Sequence, residues 1–134
     1  MELIPKILEA TLPPFLSQET VDDPVAFIKL LDPCSRYTFF VLEAQREPDG
    51  DLRLFGFCRS PLGPDGDEFG SVSLRELETF RGPLGQGIER DLHFTPTPVS
   101  PLMIEVGHRT SDVPPAARYP RLIPAPMYGD PPAD

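Results

Sequence analysis

Two identical tetrapeptides, Pro48-Asp49-Gly50-Asp51 and Pro64-Asp65-Gly66-Asp67, interrupt the middle of this chain. In each, proline presets one turn dihedral, aspartate bonds back to the backbone, and glycine accepts the positive φ that a tight hairpin requires. The segments they separate are rich in aromatic and branched residues. Residues 37–44 carry large apolar groups on both alternating faces and predict a central strand, flanked by residues 52–58 and 68–72. Residues 25–31 predict a further strand before the turn opened by Asp32-Pro33, and residues 88–94 alternate as an edge strand would. Thr95-Pro96-Thr97-Pro98 is expected to end the pairing, ahead of a last apolar run at 102–106.

Helices are short. Pro5 suits a first helical turn, and Ile4, Ile7 and Leu8 recur at helical spacing until Leu12-Pro13-Pro14 stops them. Ser73-Leu74-Arg75-Glu76 has capping-box spacing, with Leu74 and Leu77 as the buried face and Arg81-Gly82-Pro83 as the stop. The expected fold is α+β: one small domain, with an antiparallel sheet of four or five strands packed by one face on one or two short helices. Phe27, Phe39, Val41, Phe55, Phe57, Leu74 and Leu77 form its expected core. The chain holds 19 prolines in 134 residues, seven of them in residues 113–134. A stretch so poor in amide donors cannot be a helix or a central strand. Residues 1–108 are therefore read as the acidic α+β domain, and 109–134 as a Pro-rich extended or disordered tail, with a docking peptide as the functional alternative.

The net charge is −9, and residues 1–108 hold 18 of the 21 acids but only 9 of the 12 Lys and Arg. Such a field attracts basic protein surfaces and repels phosphates. Direct nucleic-acid binding would need Phe39, Phe40, Phe55 and Phe57 as stacking platforms in a positive groove, and the cations for one are scarce. The candidate partner-binding residues are Glu43, Glu47, Asp49, Asp51, Asp65, Asp67, Glu68, Glu89 and Asp91. No membrane-spanning apolar stretch or leader-like N-terminus is seen, so a cytoplasmic location is expected. Cys34 and Cys58 lack close-spaced partners and are expected to be buried thiols. With His93 and His108 they make no recognisable metal site, and no cofactor is expected. The acidic turns lack the distal Glu of a calcium loop. Gly82, Gly85 and Gly87 lack the lysine of a phosphate loop. One catalytic alternative remains: on a continuous strand Glu89, Asp91 and His93 would share a face, as a small hydrolase or nucleic-acid-processing accessory would require.

Ile4-Pro5-Lys6, Leu12-Pro13-Pro14, the aromatic strand 37–43, the segment from Phe69 to Glu78, and Arg81-Gly82-Pro83-Leu84-Gly85 followed by Ile88-Glu89-Arg90-Asp91 stand in a fixed order. Together they resemble the uncharacterised bacterial family "domain of unknown function 2958" over most of residues 1–100. The resemblance implies a small cytosolic protein often carried on mobile genetic elements, with no established catalytic residues to carry over. Joined to the acidic field, it sets the functional expectation. That expectation is a non-catalytic accessory protein, of the counter-defence or anti-CRISPR kind, covering a basic nucleic-acid-binding surface of a host complex.

Overall fold

The computed structural model describes residues 2–105, so the Pro-rich segment 109–134 lies outside the described residues. Five strands form the main antiparallel sheet: β2 (Ile28–Leu31), β3 (Thr38–Arg46), β4 (Leu52–Arg59), β5 (Glu68–Ser73) and β6 (Glu89–Arg90), in the order β5-β4-β3-β2-β6. The aromatic strand is central, as its two-faced apolar pattern requires. A second, two-stranded ribbon pairs β1 (Val25–Ala26) with β7 (Thr97–Pro98). Residues 25–31 are thus not one strand but two, serving different sheets. The prolines at 96 and 98 do not end pairing either, because Pro98 sits on a ribbon edge where no amide is needed.

Both faces of the main sheet are covered, where the sequence led us to expect one. Phe39, Val41, Leu54 and Val72 face α2 (Leu74–Thr79) through Leu74 and Leu77, and face Leu3 and Ile4 from the N-terminus. Phe40, Leu42, Phe55 and Phe57 face the opposite way, onto Val99, Leu102 and Met103 of α3 (Val99–Glu105), with Phe15, Phe69 and Phe94 packed around them. Phe55 and Phe57 therefore belong to a different core from Phe39. Phe27 is only partly buried. The first helix, α1 (Lys6–Glu9), is one turn long. Pro5 caps it from an extended conformation, and Ile7, read as a buried position, is 79% exposed because the burial comes from Leu3 and Ile4 before the helix.

A register shift between Val41 and Glu43 organises the middle of the sheet. It is a β-bulge, so Leu42 and Glu43 both point to the α3 face, while Val41 and Ala44 face α2. Gly56, opposite Val41, lets the bulged strand approach: a Cβ there would lie 1.8 Å from the Phe40 carbonyl oxygen. Backbone cannot yield as a side-chain tip can. Gly70, on β5, has nothing within 4 Å of the same position. Gly56→Ala should therefore cost about 3 kcal/mol or more, the upper range for overpacking, while Gly70→Ala should change stability little. Urea melts of the two variants check this, and equal effects would mean that the bulge does not fix the strand approach.

Candidate interaction surface

The sheet sorts the acids that the sequence offered as a single surface. The two identical tetrapeptides flank β4 at opposite ends, about 25 Å apart for a strand of eight residues. They also fold differently. At the first, Gly50 has the expected positive φ (90°) and the Glu47 amide donates to the Asp51 carbonyl across a hairpin. At the second, Pro64–Gly66 is a turn of 3-10 helix, and the positive φ falls on Gly63 instead of Gly66. The longer connection, residues 60–67, leaves room for that helical turn.

At the first end the carboxylates are bonded within the chain, although Asp49 stays exposed. Asp51 accepts the Ser73 hydroxyl, the Leu52 amide at 2.7 Å and the Arg75 amide at 3.1 Å, so it braces the start of α2, where Ser73 caps the Glu76 amide. Burial opposes ionisation of Asp51, but the Ser73 hydroxyl and these two amides outweigh it and hold the carboxyl below its ordinary range. Glu47 bonds Arg53, and Asp49 pairs with Arg75. Asp91 pairs with Lys29 at 3.8 Å. Glu43 is not a surface residue at all. It is fully buried, and its two oxygens accept the amides of Leu16 and Gln18, each at 2.8 Å. Reading Glu43 as a partner contact is corrected by the bulge, which rotates it into the core.

The second end is built differently, from three loops side by side. Residues 32–37 lie in the middle and hold the other two. Asp32 accepts the Cys34 amide (2.9 Å), the Ser35 hydroxyl (3.0 Å) and the Gln86 side-chain amide (3.3 Å), which ties in residues 81–87. The Cys34 amide leads in pulling the Asp32 carboxyl below its ordinary value, against the cost of burial. On the other side, Arg36 grips both Asp67 oxygens at 2.6 Å and the Ser60 carbonyl at 2.7 Å, tying in residues 60–67. The Asp67 side chain is fully covered, and the pairing raises the Arg36 pKa further. Asp67 is therefore a staple and not a contact.

These fixed loops carry apolar groups into solvent. Leu62 is 95% exposed and Leu84 81%, and Cys34, expected to be buried, stands exposed between them. Asp65, Glu68 and Glu89 are exposed at the same end. The sequence signalled these acids but gave no sign of the leucines, which look like ordinary loop residues until Arg36 and Asp32 tie their loops to one end of the sheet.

A family model described as "Protein of unknown function (DUF2958)" matches residues 4–113. The chain belongs to the DUF2958 family. No curated protein and no solved structure matches it. The DUF2958 match takes in every element described above, the three-loop end included.

Among the described residues the cluster of Glu89, Asp91 and His93 is not assembled on one strand face. In this DUF2958 domain β6 stops at Arg90, and the Asp91 carboxylate turns back to accept the His93 amide at 2.9 Å. The alternation that would have put Glu89, Asp91 and His93 on one face is therefore broken. An open groove lined by Lys6, Glu9, Ala10 and Arg46 has its guanidinium and carboxylate already joined to each other. The four phenylalanines that base stacking would need, at 39, 40, 55 and 57, are all buried. Among the described residues no group of three His, Cys, Asp or Glu could hold a metal ion, and no helix is long and apolar enough to cross a membrane.

The two thiols differ enough to be separated chemically. Burial pushes the Cys58 thiol up to about 12, with the charges of Asp67 and Glu68 adding to it, so near pH 7 it is not a nucleophile. Cys34 is exposed. One equivalent of a maleimide should label the folded chain at Cys34 alone, as read by peptide mass spectrometry. Comparable labelling of Cys58 would contradict the packing of β4.

Proposed function

We propose that this domain is a non-catalytic protein-binding module that uses its three-loop end to cover a basic surface of another protein. One observation carries the reading: two largely exposed leucines sit on stapled loops at the end of the sheet that also exposes Asp65, Glu68 and Glu89. An exposed apolar contact with a charged rim is the anatomy of an interface, and prior fixing of the loops removes part of the ordering cost of binding. Of the cations nearby, Arg36 is spent on Asp67 and Arg81 donates to the carbonyls of Glu78 and Phe80, which leaves Arg59, the last residue of β4, against the three acids. Lysine- and arginine-rich surfaces that grip nucleic acid are the partner class with matching charge. Blocking such a surface is the work of a counter-defence inhibitor acting on a host complex such as a CRISPR effector.

Reversing all four turn aspartates would be a poor test, because Asp51 and Asp67 hold the fold. The informative comparison is between ends. Asp65→Lys, Glu68→Lys and Glu89→Lys together should weaken capture of the partner from cell extract by about tenfold or more, on the order of 1.4 kcal/mol, and flatten its salt dependence. Leu62→Ser with Leu84→Ser should weaken capture at every salt concentration. Asp49→Lys, at the far end, should leave it unchanged. Equal loss from Asp49→Lys, or none from the loop variants, would overturn the assignment.

A further inference from the structure

Between Asp112 and Asp130 the chain carries two cations, Arg118 and Arg121, and no acid. That stretch lies outside the described residues, and its charge is opposite to the −9 of residues 1–108. Pro114, Pro115, Pro120 and Pro124 leave it few amides for sheet pairing and favour polyproline II, in which three residues make one turn. At that spacing Arg118 and Arg121 share one side, about 9 Å apart, and Tyr119 and Leu122 share the next. Cations and apolar groups then run side by side.

The three-loop end offers the complement. Leu62 and Leu84 stand in solvent at the end of the sheet that also exposes Asp65, Glu68 and Glu89. The first end offers less to a cation, because Glu47 is bonded to Arg53, Asp49 is paired with Arg75, and Asp51 accepts the Leu52 and Arg75 amides. Reach permits the contact. The last described residue is Glu105, at the end of α3, and the 13 residues from there to Arg118 span about 40 Å in polyproline II. The whole of β4 is about 25 Å long. A tether of this length presents the segment at roughly millimolar effective concentration, so a weak contact suffices.

We propose that residues 113–124 dock on the three-loop end of their own chain. Arg118 and Arg121 lie against Asp65, Glu68 and Glu89, and Tyr119 and Leu122 lie against Leu62 and Leu84. The contact shares its surface with the basic partner proposed above, and so rests on the reading of that end as an interface. It adds a regulation, because the partner must displace the segment in order to bind.

The test uses the full chain with no partner present and follows the methyl resonances of Leu62 and Leu84. Arg118→Glu with Arg121→Glu should move both signals at low salt, and the difference from wild type should shrink at high salt. A synthetic peptide of residues 113–124 should return the variant's signals toward the wild-type positions along a saturable curve. The same peptide with both arginines replaced by glutamate should not. Unmoved leucine signals, or shifts confined to residues 47–51, would overturn the proposal. Wild-type positions that change with protein concentration would give the segment to a second copy and overturn it as well. Capture of the partner is a separate readout. There the double variant should bind about threefold or more tightly, as freeing a site that is occupied roughly two-thirds of the time requires. Leucine shifts with no effect of the loop variants on capture would keep the docked segment and remove the basic partner, and loop-dependent capture without leucine shifts would do the reverse.

Discussion

The bulge between Val41 and Glu43 is the constraint on which the rest of the sheet depends. One extra residue in β3 turns a carboxylate into the core, and a buried carboxylate is tolerable only when bonded. The amides of Leu16 and Gln18 meet that need, and the Gln18 side chain completes the exchange by donating to the Leu42 carbonyl at 3.1 Å and pairing with the Val25 backbone. Leu16 is held at φ 72°, where a non-glycine residue rarely rests. A segment with little regular structure is thereby fastened to the centre of the sheet, and β1 is fastened to that segment.

The same logic divides the acidic charge of the domain. Glu43, Asp51, Asp67 and Asp32 are structural: each takes hydrogen bonds that fix a loop or a helix start. Asp32 and Asp51 both have lowered folded pKa values. Their contribution is present above the ordinary carboxyl range and is lost as pH falls through the lowered folded values, so the loop ties should loosen in acid. Of the acids that the sequence offered as contacts, Asp65, Glu68 and Glu89 are exposed and lie with Leu62 and Leu84 at the end away from the first hairpin, where the proposed interface is placed.

Much of the architecture was legible because it rests on local chemistry. The Ser73 cap, the central aromatic strand and the turn at Gly50 are each decided by residues within a few positions of one another. The bulge was not legible, since Leu42-Glu43 differs from ordinary strand alternation only once Gly56 lies opposite. Repetition of one tetrapeptide suggested one turn twice, yet the second became a 3-10 turn. The catalytic cluster depended on strand alternation through residue 93, which Asp91 ends by bonding its own neighbour. The proposed interaction surface was half legible: its acids are visible in composition, but its leucines reach the same end only through the order of the strands and the ties to Asp32 and Arg36.

The most direct test uses the exposed thiol at the middle of the three loops. A short photocrosslinker attached to Cys34 should join the domain to its captured partner, and the same reagent on a cysteine placed at Asp49 in a Cys34→Ser background should not. Crosslinking from position 49 with none from Cys34 would place the interface at the opposite end of the sheet and contradict the account.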